Sequence, residues 1–271
     1  ANLGGYGESN SISRATFSPR MALNAHITDS QSVRAVMSKG TRTPDLFENR
    51  ANWQYKLSGL DEAVNGSTTA PLFPLAQAHA DLASEEIWSR ELGYMLMLPP
   101  LGLTLDARLF DDRLRQLISK TLSVLDFNPD NSGRVRLSGA EVQASWNISS
   151  TWSGWLTYSY LINRHASDVQ ETLQYEQHSG AGGVSVALND NWRASLAHYA
   201  ASGNGLQELG YGRTDLTLAH AFNLGNQAAS VSLTLGYLST PTVRNYVDEQ
   251  TYSTAGYDDR FSLVGQLRIA F

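Results

Sequence analysis

The sequence lacks cysteine, and it has no long apolar run and no visible basic patch. Without Cys the chain has no disulfides, no thiolate metal sites and no Cys nucleophile. No stretch approaches the roughly 18 apolar residues that a transmembrane helix requires, which excludes a helical membrane protein. The 20 Lys and Arg residues are dispersed and the net charge is −6, so nucleic acid is not an expected partner.

The chain also lacks a recognisable leader segment. It opens at Ala1, and nothing nearby resembles the basic and apolar regions of a signal peptide, so we expect a mature piece or a fragment. Its composition favours a barrel, with 22 Gly, 12 Tyr and 6 Trp and only 17% charged residues. The 271 residues are sufficient for one large all-β domain.

Alternation of apolar and polar residues is the dominant pattern in the chain. In the last eleven residues one face carries Phe261, Leu263, Leu267, Ile269 and Phe271. The same period of two recurs in segments 20–27, 101–110, 215–222 and 228–237. This period predicts β-strands with one apolar face, but a soluble β-sandwich makes the same rows as a membrane barrel.

Alternation and turn signals together predict eleven strands. Their expected boundaries are 19–28, 32–39, 84–98, 101–118, 133–148, 152–164, 177–189, 191–201, 208–223, 227–239 and 258–271. Short turns at 28–31, 99–100, 149–151, 189–191 and 225–227 alternate with longer polar loops. Short periplasmic turns and long extracellular loops are typical of bacterial outer-membrane barrels. The expected fold class is therefore all-β, an antiparallel transmembrane β-barrel.

Aromatic residues lie near the expected strand ends. They include Trp88, Tyr94, Trp146, Trp152, Trp155, Tyr158, Tyr160, Trp192, Tyr199, Tyr211 and Tyr237. Trp and Tyr favour a membrane interface because the ring prefers the apolar side and its N–H or O–H prefers water. We therefore expect aromatic belts at the membrane interfaces, the alternative being ordinary core aromatics.

Several segments of the chain form motifs that follow one another in a recognisable order. A hairpin over residues 18–40 leads into Arg42, Pro44, Leu46 or Phe47, and Glu48, which is similar to the Arg-x-Pro-x-Leu-x-Glu stretch of TonB-dependent outer-membrane receptors. The further segments follow in the order of that family. Residues 86–94 resemble the strand with a Glu-Leu-Gly core, 105–118 the strand after it, 138–141 with 155–160 the next pair, and 267–271 the terminal strand. The resemblance covers nearly the whole chain apart from the loops.

This resemblance implies a place for the chain in a larger protein. Family members have a 22-stranded barrel, so about eleven strands over residues 1–271 imply the C-terminal part of such a barrel. We find no plug domain and no TonB box, the segment that couples these receptors to the inner membrane, and we expect TonB to act through a missing N-terminal region. The resemblance also implies a bacterial outer-membrane location, contact with outer-membrane lipid and a small-molecule ligand.

Two long loops are the expected ligand-binding regions. In the resembling family, extracellular loops hold the ligand together with the plug apex. Loop 40–83 supplies Arg42, Asp45, Trp53 and Tyr55, and loop 240–257 supplies Arg244 and Tyr246, which suit a metal chelate or a cobalamin-like cargo. The alternative is a solvated loop in which Arg42 and Glu48 only brace the barrel rim.

One segment has the spacing of calcium ligands. Asp126, Asn128 and Asp130 place oxygen atoms at every second position. The EF-hand pattern then fails, because its Gly falls two positions late and the twelfth position has no Glu. A plain turn is the alternative, and no other metal site and no cofactor is expected.

The chain is not expected to be an enzyme. Ser195 and His198 lie in one strand, where residues i and i+3 point to opposite faces and cannot pair.

Three functional hypotheses follow from these patterns. The first is a receptor for TonB-energised uptake of a scarce ligand such as a ferric siderophore. The second is a standalone passive outer-membrane channel or structural barrel, whose lumen-facing Asp106, Arg108, Asp215 and Arg268 set what passes. The third is a soluble all-β binding protein.

Overall fold

One antiparallel sheet of twelve strands dominates the fold. The computed structural model describes residues 1–270 except 12–13, 54–55, 60–66, 72–75, 78–80, 120–128, 167–174, 204–209, 240–241, 249–250 and 257–259. The sheet strands are β1 (Asn2–Glu8), β2 (Thr16–Thr28), β3 (Gln31–Arg42), β4 (Glu85–Leu98), β5 (Leu103–Ser119), β6 (Asp130–Asn147), β7 (Trp152–Arg164), β8 (His178–Ala187), β9 (Trp192–Ala201), β10 (Tyr211–Leu224), β11 (Gln227–Leu238) and β12 (Phe261–Ile269). Each strand pairs with its neighbours in sequence, so β1 and β12 are the two edges of the described sheet.

The predicted all-β class is confirmed, and the main sheet has one strand more than the eleven predicted. The eleven predicted strands are β2 to β12. The additional strand β1 contains three glycines and one Leu, so it has no apolar row that alternation can detect. Its seven residues pair with β2 along their whole length. Pairing with a neighbour, and not its own side-chain pattern, makes this segment a strand.

Connection lengths are sorted to opposite ends of the sheet, as predicted. The short connections are residues 29–30, 99–102, 148–151, 188–191 and 225–226. The longer ones are residues 9–15, 43–84, 120–129, 165–177, 202–210 and 239–260. Because neighbouring strands run antiparallel, all short connections lie at one end, which we call the turn end, and all longer ones at the other, the loop end.

Local hydrogen bonds and glycines close the short turns. The Asn189 side-chain oxygen accepts from the backbone N–H groups of Asn191 and Trp192, at 3.0 and 2.9 Å. Gly102 and Gly225 have φ angles of 60° and 64°, a left-handed conformation that favours glycine. These signals explain why turn positions were readable from sequence.

The two faces of the sheet differ in polarity. One face carries paired apolar rows, such as Leu216 opposite Leu235 and Leu235 opposite Leu263. On β3 to β5 the last wholly apolar row toward the loop end is Ala35, Leu92 and Leu109. We call the stretch from the turn end to this row the apolar band. The opposite, polar face carries the residues predicted to face a lumen, namely Asp106, Arg108, Asp215 and Arg268.

The sheet is a single layer with almost no interior. Among the described residues the buried apolar side chains are those of Ala51, Leu82 and Ala229, together with Pro44 and Pro129. Large apolar side chains of the apolar face are exposed instead, for example Leu263 at 66%. A soluble sandwich covers such a face with a second large sheet, whereas the other sheets of the described residues have only two strands each.

Helical structure is confined to short segments. The helix α1 (Leu46–Arg50) lies in the connection between β3 and β4, and residues Pro99–Leu101 form one 3-10 turn. Within the described ranges, no helix has the length and apolarity needed to cross a membrane.

Eight of the eleven aromatic residues predicted for the belt lie on the apolar face, namely Trp88, Tyr94, Trp146, Trp152, Tyr158, Tyr160, Trp192 and Tyr237. Trp146, Trp152 and Trp192 lie there at the turn end and are 48%, 46% and 38% exposed. The polar face instead carries Trp155, Tyr199 and Tyr211. The belt prediction is wrong for these three because it ignored strand parity. Trp155 is three residues from Trp152, an odd offset that places it on the other face.

Candidate functional site

An ion pair spans three strands of the polar face. Arg34 on β3 donates from both terminal nitrogens to the Asp106 carboxylate on β5, at 3.3 and 3.4 Å. Gly93 on β4 lies opposite Arg34, and a Cβ built there would be 2.5 Å from Arg34 Nε. The Arg34 side chain therefore lies across Gly93, where the absence of a side chain leaves room for this contact.

A second charged cluster adjoins the first on the same face. Arg108 Nε donates to Glu141 at 2.7 Å, and Arg108 Nη1 lies 3.6 Å from Glu91. Its guanidinium carbon lies 5.6 Å from the centre of the Phe110 ring. A groove of about 580 Å³ lies between the two clusters and is lined by Arg34, Asp106, Arg108, Glu141, Gln143 and Ser159, among others. Paired charges along this wall suit transient hydrogen bonding to polar solutes.

A cluster at the loop end fixes α1 to the sheet. Arg42, the last residue of β3, donates to Glu85 at 2.5 Å and to both oxygens of Glu48 at 2.9 and 3.1 Å. Glu48 and Asp45 form a capping box, with contacts of 2.6 and 2.9 Å between each side chain and the other's backbone N–H. We call Arg42, Asp45, Glu48 and Glu85 the rim clamp.

Glu85 is the carboxylate of the rim clamp that belongs to the sheet. Glu85 is the first residue of β4. Lys39, the first cation above the apolar band on β3, pairs with Trp88, and Glu85 lies three residues beyond Trp88 toward the loop end. Glu85 therefore lies outside the apolar band. Its second oxygen accepts from the Ile118 backbone N–H at 2.7 Å. Partial burial raises the pKa of Glu85, but the hydrogen bonds from Arg42 and Ile118 outweigh burial, so this pKa lies below its ordinary value.

Two asparagines anchor the other end of the long connection between β3 and β4. Asn49 is 3% exposed, and its side-chain oxygen accepts from the backbone N–H groups of Asp81 and Leu82 at 3.1 and 3.2 Å. Asn131 exchanges two hydrogen bonds with the Ala83 backbone, at 2.7 and 2.9 Å. Both ends of this connection are therefore held against the rim.

The predicted ligand residues of loop 40–83 have different surroundings. Arg42 and Asp45 belong to the rim clamp, so both side chains have partners within the chain. Trp53 lies in a two-residue strand, Asn52–Trp53, that pairs with Ala76–Gln77. Tyr55 lies outside the described residues. In the structure Arg42 and Glu48 brace the rim, which is the alternative role given above. Contact of the predicted residues with a ligand stays a prediction.

The other predicted sites fall in connections at the loop end. Arg244 and Tyr246 lie in a hairpin of strands Thr242–Asp248 and Thr251–Gly256. Of the calcium candidates, Asp126 and Asn128 lie outside the described residues, and Asp130 accepts from the Ser132 backbone N–H at 3.0 Å and from its hydroxyl. In the part of the chain that the structure describes, no group of three or more acidic or His side chains is arranged to hold a metal ion. The calcium site stays a prediction.

Sequence reasoning missed several residues of these clusters. Arg34, Glu91 and Glu141 carry a detectable signal, because their parity within the strands assigns them to the polar face. Their partners require the register, which alternation does not supply. Asn49 and Asn131 carry no signal, since their contacts join residues 15 to 48 positions apart.

These features define a class of protein. The chain forms a one-layer antiparallel sheet with an exposed apolar face, a charged polar face, tight turns at one end and longer loops at the other, which is the architecture of an outer-membrane β-barrel. The family model described as TonB dependent receptor-like, beta-barrel matches residues 1–268, and the chain belongs to this family. It is a family of receptors and transporters and not of enzymes.

Solved receptors share this fold. The ferric-catecholate import receptor Fiu of E. coli K12 aligns with a TM-score of 0.65 and 14% identity, over 94% of this chain and 35% of that one. The ferric yersiniabactin uptake receptor FyuA of Yersinia pestis gives 0.66 and 14%, over 95% and 38%. The copper transporter OprC gives 0.55 and 16%, over 82% and 34%.

These likenesses concern the fold alone, because the identities are low. The chain spans little more than a third of the length of these solved proteins. No curated protein sequence matches the chain.

Proposed function

We propose that this chain forms the C-terminal part of a receptor barrel that takes up a scarce ligand, such as a ferric siderophore, across the bacterial outer membrane with energy from TonB. The observation that carries the proposal is the sorting of the connections, with the longer loops at the end opposite the tight turns. Loops at one end of a rigid barrel form a surface for capturing ligand. The apolar band faces outer-membrane lipid, and the polar face lines the path of the ligand.

Within this proposal the loop residues divide into two roles. Arg42 and Asp45 position α1 through the rim clamp and contact ligand from that fixed place. Trp53, Tyr55, Arg244 and Tyr246 supply the aromatic and cationic groups that suit an anionic metal chelate. No catalytic step is assigned to any of these residues.

The test is uptake by the full-length protein in cells with and without a functional TonB. We expect accumulation of iron from at least one radiolabelled ferric siderophore, and we expect it to stop without TonB. Arg244→Gln with Tyr246→Ala should lower that uptake about tenfold or more, since charged and aromatic contacts each contribute roughly 1 kcal/mol. Arg90→Gln removes an exposed cation from the apolar face, away from the path of the ligand, and serves as the control.

Other outcomes identify the alternatives. Uptake that persists without TonB indicates a passive channel. Uptake of copper ions and no ferric siderophore indicates a different cargo, a result that similarity to a copper transporter makes worth including. Recovery of the full-length protein as a soluble monomer outside the membrane fraction would contradict the proposed function.

A further inference from the structure

A row of cations crosses the apolar face beyond the apolar band. Lys39, Trp88, Arg113, Arg136 and Arg164 occupy directly paired positions on five adjacent strands, β3 to β7. The next row toward the loop end contains Arg115 opposite Arg134. The cations of these two rows form what we call the cation patch, namely Lys39, Arg113, Arg115, Arg134, Arg136 and Arg164. The sequence showed dispersed cations with no patch, and that expectation is wrong because the register brings distant residues side by side.

The register gives the position of the cation patch along the strands, measured from the end of the apolar band. The last apolar row contains Leu92 and Leu109, the next row contains Arg90 and Asp111, and the first row of the patch follows. Residues two apart on a strand are separated by about 6.6 Å, so this row lies about 13 Å along the strands beyond the apolar band. Lipid headgroups begin where an apolar band of this kind ends.

Carboxylates neutralise only part of this charge. Within the two rows, Glu86 pairs with Lys39 at 2.5 Å. Asp111, one row below, accepts from Arg136 at 2.7 Å and from Arg113 at 3.2 Å. No carboxylate of the described chain lies within ion-pair distance of the exposed Arg115 and Arg164. Among the described residues the patch is a local excess of positive charge, in a chain whose net charge is −6.

The arginines also face one another directly across the ladder. Arg113 lies opposite Arg136, Arg136 opposite Arg164, and Arg115 opposite Arg134. Like charges at directly opposed positions destabilise a sheet. Asp111 already lies between Arg113 and Arg136, so an added anion would relieve the repulsion chiefly beside Arg115 and Arg164. A groove of about 690 Å³ lies here, lined by Arg113, Arg115, Arg134, Arg136 and His165 among others. Guanidinium groups bind phosphate oxygens through two parallel hydrogen bonds.

We infer that the cation patch binds the phosphate groups of an anionic glycolipid headgroup in the outer leaflet of the membrane. Acyl chains that lie along the apolar band bring such phosphates to the height of the patch. A soluble ligand would approach through the loops or the polar face, and the patch lies on the opposite face. This inference rests on the proposed outer-membrane location.

The test compares lipid binding by purified full-length variants. We would measure binding of lipid A with two phosphates, of dephosphorylated lipid A and of inorganic phosphate by native mass spectrometry. We expect tight binding of the bisphosphorylated form only. Arg115→Gln with Arg164→Gln should weaken it about tenfold or more, because each cation near a lipid surface contributes about 1 kcal/mol. Raising NaCl from low concentration to about 0.5 M should weaken it as well.

Matched variants separate the site from general charge and from folding. Arg20→Gln with Arg193→Gln removes two exposed cations from the polar face and should leave lipid binding unchanged. Arg115→Lys with Arg164→Lys keeps the charge and should retain part of the affinity. Equal binding of phosphorylated and dephosphorylated lipid, or no effect of the Gln pair, would overturn the inference. Equally tight binding of inorganic phosphate would assign the patch to a soluble anion and overturn the lipid assignment.

These outcomes are distinguishable from failure of the proposed function. Normal TonB-dependent uptake together with unselective lipid binding contradicts only the inference that the cation patch binds lipid phosphates. A full-length protein that is absent from the outer-membrane fraction contradicts the proposed function, whatever its affinity for lipid A.

Discussion

Arg34 reaches Asp106 by lying across Gly93 on the strand between them. The contact therefore depends on Gly93, which is not itself one of the two paired residues. A Cβ at position 93 would lie 2.5 and 2.7 Å from Arg34 Nε and Cγ, so the Arg34 side chain would have to move. Because both partners are more than a third exposed, the ion pair itself contributes modestly, within about 1 kcal/mol.

Gly93→Ala should therefore act through Arg34. We expect a loss of about 0.5–1 kcal/mol in unfolding free energy, and we expect most of it to disappear when Asp106 is already Asn. Denaturant unfolding of the full-length protein in detergent measures this double-mutant cycle. Gly265→Ala, where an added Cβ meets nothing within 4 Å, is the control and should be additive with Asp106→Asn. Additivity at Gly93 would contradict the proposed displacement.

Gly139→Ala should prevent normal pairing of β6 with β7. An added Cβ would lie 2.0 Å from the Tyr160 carbonyl oxygen, a backbone atom that cannot rotate away. We expect a loss of about 2 kcal/mol or more and a lower yield of folded protein in the membrane. Gly154→Ala on β7 meets its nearest atom at 3.5 Å and should be tolerated. Similar yields for the two variants would disprove this account.

Arg42→Gln should release α1 from the rim. The substitution removes three hydrogen bonds to two carboxylates, each a charge-assisted contact. We expect amide exchange at residues 46–50 to accelerate about tenfold, which corresponds to about 1.4 kcal/mol of local stability. Arg50→Gln removes an exposed cation from the same helix and should change exchange little. Unchanged protection in Arg42→Gln would mean that the capping box alone holds the helix.

The rim clamp should also weaken in acid. The pKa of Glu85 is lower in the folded chain than in the unfolded chain, so its contribution to stability is fully present above the ordinary Glu pKa of about 4.3. It is lost as the pH falls through the lower folded-state pKa. Exchange protection at residues 46–50, corrected for intrinsic rates, should therefore fall below about pH 4. In Glu85→Gln the protection should be lower at pH 7, and the difference from the unsubstituted protein should vanish in acid.

The sequence predicted the strands well because two independent signals agree there. Leu263 and Leu267 share a face by parity alone, and the Asn189 and Gly225 turns mark where neighbouring strands begin. Register was less accessible, since it depends on pairing between strands. Trp155 was assigned to a membrane belt because its position near a strand end was weighed without its parity.

The candidate site was less predictable than the sheet. The bracing by Arg42 and Glu48 was given only as the alternative to ligand contact, although Asp45 and Glu48 have capping-box spacing just after a strand. Asn131 was not, since its partner Ala83 is 48 residues away. The alignment of Arg113, Arg136 and Arg164 likewise appears only when three strands are set side by side.

The missing second layer also bears on how such chains evolve. A side chain inside a close-packed core is constrained in volume and shape by fixed neighbours. Leu233 and Leu263 have no opposing protein layer among the described residues and are 51% and 66% exposed. Selection at these positions then acts on hydrophobicity and parity and hardly on shape. Related sequences can therefore diverge widely at these positions while the strand number and the turn spacing persist, which is consistent with a shared fold at 14% identity.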